Sequence, residues 1–142
     1  MANWDGLDRT NYFRVKDRDA FLAFNARCSG VTLCWQGDEL AEPSAVPPPE
    51  ATAFAFYADD GEGWPSYDSE GEEMEPDFVS QLIEHVADDD VIVFVSAGYE
   101  KARYATGVAS AYHKGECVQI SINDIYAKAK EAFGIEPTTA EY

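Results

Sequence analysis

Nine carboxylates crowd residues 59–77: Asp59, Asp60, Glu62, Asp68, Glu70, Glu72, Glu73, Glu75 and Asp77. Trp64, Tyr67 and Met74 are interleaved with them. Carboxylates strung along a surface can imitate the phosphates of a nucleic acid. An Arg- and Lys-rich site accepts either one through charge-assisted hydrogen bonds. Trp and Tyr beside them would act as anchors, because these side chains dominate binding energy at interfaces. The partner-binding residues expected on this ground are Asp59, Asp60, Glu62, Trp64, Tyr67, Asp68, Glu70, Glu72, Glu73 and Glu75. The alternative is a solvated acidic loop whose Trp64 tucks back onto a sheet.

Other chemistry finds less support. Asp59, Asp60 and Glu62 around Gly61, or Asp88–Asp90, offer oxygen donors to calcium or magnesium. Neither set has the alternating acids, central Gly and terminal Glu of an EF-hand loop. For zinc, Cys28 and Cys34 stand six apart, His85 and His113 are isolated, and no CxxC or HxxxH occurs. His85 near a helix C-terminus is expected to favour its charged form, and His113 to be solvated in a turn. Cys34 and Cys117 fall in strand patterns, where a buried free thiol is ordinary and unreactive. There is no GxSxG, P-loop or GxGxxG. No catalytic residue, metal ligand or cofactor is expected. Lys101 and Arg103 form a small basic cluster, and an internal ion pair to the acidic segment explains Arg103 better than an anion site does.

The charge distribution sharpens the binding reading. The 142-residue chain has 27 acidic and 10 basic side chains and a formal net charge of −17. No Lys or Arg occurs between Arg27 and Lys101, and residues 28–100 contain 18 of the 27 acids. Essentially all the excess charge therefore sits in one stretch. A field of that sign repels nucleic acid and anionic membranes and attracts basic surfaces. Adaptation to a high-salt environment would spread acids over the whole chain instead. Hydrophobic residues make up 46% and aromatics 13%, which is a folding composition, not that of an acidic tail. Three cysteines, an N-terminus without a basic and apolar leader, and no apolar run of spanning length point to a cytoplasmic location.

The elements that must position these residues follow from periodicity. Tyr12–Val15 reads as a strand, and Asp17 caps a helix from Arg18 to Arg27 that Ser29-Gly30 stops. Val31–Trp35 and Ala53–Tyr57 read as strands, separated by a proline-rich linker at 39–50 with Pro47-Pro48-Pro49. An irregular acidic loop occupies 58–76, and Pro76-Asp77 opens a helix to Val86 with Phe78, Leu82 and Ile83 at helical spacing. Val91–Val95 is continuously apolar, as in a central strand buried on both faces. Arg103–Tyr112 and Cys117–Ile122 form a hairpin across His113–Glu116, with Val118, Ile120 and Ile122 on one face. Asn123 or Asp124 caps a last helix through Phe133, which Gly134 ends. Gly98 and Gly107 are expected to serve bends or bulges.

The order β-α-β-β-α-β-β-β-α defines an α+β class: a mostly antiparallel sheet with helices packed on it. A ferredoxin-like core is extended by a hairpin and a helix, in one domain spanning 1–142. The function expected is that of a non-enzymatic acidic inhibitor that engages a basic protein, acting as a nucleic-acid mimic of the antirestriction or anti-CRISPR type. An immunity protein or adaptor that neutralises a basic toxin would use the same electrostatics with an aromatic hot spot. A metal-assisted enzyme built on the acidic loop is the third alternative. The partner is a basic, nucleic-acid-binding protein, with no direct contact to nucleic acid or membrane.

Overall fold

The computed structural model describes residues 4–36, 46–61, 63–101 and 103–140. Its elements are β1 (Trp4–Thr10), α1 (Arg18–Arg27), β2 (Val31–Trp35), β3 (Phe54–Ala58), α2 (Phe78–His85), β4 (Ile92–Glu100), β5 (Tyr104–His113), β6 (Glu116–Ser121) and α3 (Asp124–Phe133). The six strands form one open sheet in the order β2-β3-β1-β4-β5-β6, and every neighbouring pair is antiparallel. Read from β4, the first four strands lie β4-β1-β3-β2, the split arrangement of a ferredoxin-like unit. The β5–β6 hairpin extends the sheet beyond β4.

Local chemistry sets the helix ends. The Asp17 carboxylate accepts the Ala20 N–H at 3.1 Å to cap α1, and Asp77 accepts the Ser80 N–H at 2.8 Å to cap α2. Hydrogen bonding to Ser80 holds the Asp77 carboxyl below its usual range, because the charged form accepts the bonds. Gly134 ends α3 with φ 70°, a left-handed conformation that suits Gly.

The core is built from phenylalanine. Phe13, Phe21, Phe24, Phe54, Phe56 and Phe78 are fully buried together with Leu82 and Ile92. Phe21 sits at the centre, with ring centroids 5.9 Å from Phe13, 5.0 Å from Phe54 and 5.8 Å from Phe56. Both α1 and α2 pack on this side of the sheet through Phe21, Phe24, Phe78 and Leu82. No residue of α3 is buried.

Several elements depart from the sequence reading. The first strand lies upstream of Tyr12–Val15, where its long ladder with β4, from Trp4↔Glu100 to Thr10↔Phe94, compensates for a weakly apolar sequence. Tyr12–Val15 is instead a broken continuation. Phe13 and Phe54 exchange backbone hydrogen bonds of 2.8 Å, and Val15 bridges Val86. Between Arg9↔Tyr57 and Phe13↔Phe54 the β1 side carries one extra residue, a bulge. There the Thr10 hydroxyl accepts the Phe56 N–H at 3.0 Å in place of a backbone carbonyl.

β4 is central but is not buried on both faces. Ile92 and Phe94 are buried, whereas Val95 is exposed, because among the described residues no helix packs over Val95 on the second side of the sheet. Gly98 and Gly107 serve close approach rather than bends. A Cβ on Gly98 would stand 2.2 Å from the Trp4 indole, and one on Gly107 would stand 2.8 Å from the Ile122 side chain.

Of the proline-rich linker, residues 39–45 lie outside the described residues. Its remainder is clamped by Arg18. That guanidinium donates to the carbonyls of Pro47 (2.9 Å), Pro48 (2.8 Å) and Ala51 (2.5 Å) and lies 5.6 Å over the Phe54 ring.

Candidate functional site

The acidic segment is tied to the fold along its length. It leaves β3 at Asp59, whose N–H donates to Gly30 O at 2.9 Å and whose carboxylate accepts the Thr32 hydroxyl. Gly61 then closes against Gly6 of β1, where the Trp4 indole N–H donates to Gly61 O at 3.0 Å. Glu62 lies outside the described residues. Trp64 turns inward: it stacks on Phe78 with centroids 5.3 Å apart and sets its edge to Phe94 at 5.8 Å. Met74 also packs against the core.

Between these two apolar anchors the chain forms a small hairpin. Tyr67 bridges Glu73, and the Met74 N–H donates to Ser66 O at 2.9 Å. One carboxylate organises the tip: Asp68 Oδ1 accepts the N–H groups of Glu70 and Glu72, both at 2.9 Å. The hairpin is pinned to the end of α1 and the start of β2. Ser69 N–H donates to Arg27 O at 2.8 Å, and the Ser29 hydroxyl reaches the carbonyls of Tyr67 and Asp68. What sequence reading treats as an irregular loop is thus a backbone-bonded platform.

This platform presents Glu70, Glu72, Glu73 and Glu75, all exposed, with Tyr67 58% exposed beside them. Asp59 and Asp60, also exposed, sit nearer the sheet. Trp64 is brought to the core rather than to this surface, and Asp77 is committed to the cap of α2. Ion pairs form at other places: Arg14 with Asp89 (3.1 Å) and Asp90 (3.5 Å), Lys16 with Asp88 (3.3 Å), and Lys130 with Glu136 (3.4 Å). Among the described residues, Glu70, Glu72, Glu73 and Glu75 enter none of these. The negative charge of the hairpin is therefore left to solvent or to a partner.

Asp88–Asp90, by contrast, is answered from the N-terminal segment. The Asp90 carboxylate accepts the Arg14 N–H at 2.7 Å and the Val91 N–H at 2.8 Å. Partial burial pushes its carboxyl up, but these bonds and the Arg14 charge outweigh that and hold it below the usual range. His113 is not simply solvated in its turn, since its Nδ1–H donates to Asp90 O at 2.8 Å. A crevice of about 240 Å³ lies here, lined by Lys16, Asp88, Asp90, Tyr112, His113 and Lys114.

His85 also departs from the expectation of a charged residue at a helix end. It stacks on Phe24 at 4.9 Å and meets Phe21 at 6.0 Å. Burial, reinforced by the Arg27 charge, lowers its pKa, so packing outweighs the helix dipole and favours the neutral ring. The cysteines are free. Burial pushes the Cys28 thiol up to about 11 and also raises Cys34, which keeps both protonated and poorly nucleophilic. Cys34 is only half-buried and Cys117 is exposed. The Arg103 guanidinium lies 5.5 Å over the Tyr104 ring. Among the described residues, no group of three His, Cys, Asp or Glu side chains is arranged to hold a metal ion, and no helix is long and apolar enough to cross a membrane.

One surface was missed by the reading of candidate sites. Leu7, Val95, Tyr99, Val118 and Ile120 are exposed together on the uncovered side of the sheet. Its signal was present in the alternation of β6 and the apolar run of β4, with three helices among the described residues to cover two faces.

Compared with family models, curated proteins and solved structures, the chain finds no match in any of the three.

Proposed function

We propose that this protein is a non-enzymatic acidic inhibitor whose Ser66–Glu75 hairpin engages a basic surface on a nucleic-acid-binding protein. The observation that supports this reading is the pinned hairpin itself. Its four exposed glutamates have no cationic partner among the described residues, on a stretch of chain without Lys or Arg. A partner that gathers these carboxylates onto its own Arg and Lys gains charge-assisted hydrogen bonds. The protein pays little ordering entropy, because backbone bonds already hold the loop. Such an inhibitor belongs to the antirestriction or anti-CRISPR class of phage and plasmid proteins, in a reducing cytoplasm where its three free thiols are stable.

A second reading is favoured by Tyr67. An exposed aromatic ringed by acids is a hot-spot arrangement, and an immunity protein or adaptor that neutralises a basic toxin would use it.

Capture from a cell extract at low and high salt tests the first reading. Nucleic-acid-binding proteins are expected to be retained at low salt and released by high salt or by excess duplex DNA. A variant with Glu70, Glu72, Glu73 and Glu75 all changed to Gln is expected to retain none. Retention that ignores salt, DNA and these four changes overturns the mimic. Loss on Tyr67→Ala, with indifference to DNA, points to the second reading.

A further inference from the structure

The side of the sheet opposite α1 and α2 carries an apolar relief. Four small residues of β5, Ala105, Gly107, Ala109 and Ala111, run down its middle as a trough. Val93, Val95 and Tyr99 of β4 form one wall, Val118 and Ile120 form the other, and Ile122 packs over Gly107. Part of the trough is a depression of about 210 Å³ between Val93 and Ile120. Val118 is 71% exposed and Ile120 67% exposed.

α3 presents the complementary feature. Ile125, Ala129, Ala132 and Phe133 recur at helical spacing on one face, yet Phe133 is 74% exposed and Ile125 59% exposed. Only Ile122 and Asn123 separate β6 from α3, and the Asp124 carboxylate accepts the Ser121 N–H at 2.8 Å. This short, bonded junction sets the start of α3 beside the Ala105 end of the trough, where Ile125 and Ala105 line one cleft, and leaves Phe133 at the far end of the helix exposed. The Phe133 end of the stripe and the Ala109–Ala111 part of the trough therefore both stay uncovered in one chain.

We propose that two copies of this chain form a two-fold dimer in which α3 of each copy lies in the β5 trough of the other. Such a contact is isologous, so one operation covers both features twice. The exposed apolar residues of β1, β4, β6 and α3 total on the order of 900 Å², which meets the roughly 800 Å² per partner of a specific interface. Small residues let a helix approach a sheet closely, and the nine residues from Ile125 to Phe133 rise about 12 Å along the helix axis. Charge permits the contact. Residues 101–142 hold five bases and five acids, so β5, β6 and α3 bring two copies of a chain with net charge −17 together without opposing acidic fields. The proposal does not depend on the acidic hairpin or its partner.

Sedimentation equilibrium over a concentration series tests it, with Phe133→Glu and Ala109→Arg as variants. The wild-type protein is expected to have twice the chain mass, unchanged in high salt because the contact is apolar. Each variant is expected to sediment at the single-chain mass with an unchanged circular dichroism spectrum, since neither side chain belongs to the Phe core. A wild-type protein that is monomeric throughout overturns the proposal. So does a dimer that survives both changes, which would place the contact at the free edge of β6.

Discussion

Trp64 stacks on Phe78 with their ring planes 19° apart, so the acidic segment is fastened to the first residue of α2 and to the core beneath it. This contact divides the two aromatics of the segment by role. Trp64→Ala is expected to lower stability by about 2–4 kcal/mol through the cavity it opens, and to weaken partner binding only as far as the hairpin loosens. Tyr67→Ala is expected to leave stability within about 0.5 kcal/mol, as an exposed substitution does. Urea denaturation of both variants checks the contrast. Equal stability losses would contradict the assignment.

The tip of the hairpin depends on one carboxylate. Asp68→Ala removes the acceptor for the Glu70 and Glu72 N–H groups, with an expected cost of about 1–2 kcal/mol to the local fold. Asp68→Asn keeps an acceptor oxygen and should retain most of that order. Amide hydrogen exchange at residues 70 and 72 reads this directly. Rapid exchange in the wild-type protein itself would show that the hairpin is not held as described.

His85 makes stability sensitive to mild acid. Its folded pKa lies below the ordinary 6.5, so the folded state favours the neutral ring. Stability from this residue is complete above about pH 6.5 and is lost as pH falls through the depressed folded value. His85→Phe preserves the stacking on Phe24 and removes the titration. The variant should therefore lose less stability than the wild-type protein between about pH 7 and pH 5, above most of the carboxylate range. Parallel urea midpoints at the two pH values decide it, and identical slopes would contradict the assignment.

Arg18 holds the linker between β2 and β3 through three carbonyls. Arg18→Ala is expected to cost about 1.5–3 kcal/mol, because the lost bonds are charge-assisted and partly buried. Arg18→Lys should recover only part of this, since an ammonium lacks the planar fork that reaches several acceptors at once. Thermal unfolding of the two variants ranks them, and full rescue by Lys would contradict the geometry.

Much of the fold was legible along the chain, because hydrophobic period and capping chemistry are local. Asp17, Asp77 and Gly134 marked helix ends where the structure has them, and the element order implied the antiparallel sheet. β1 was not legible at Trp4–Thr10, because that strand is held by ladder partners distant in sequence. The acidic residues were visible as a composition, and their hairpin was not. Its tip rests on bonds from Asp68, Ser29 and Arg27, which only folding brings together.

The sequence by itself determined that the excess negative charge occupies one segment, since charge is a property of residue type and order. Tertiary structure alone decided which acids are answered by cations, whether Trp64 faces the core or solvent, and that one side of the sheet stays uncovered. Those outcomes depend on which surfaces meet in space, and an apolar run such as Val91–Val95 reads the same whether a helix, a second chain or water lies against it.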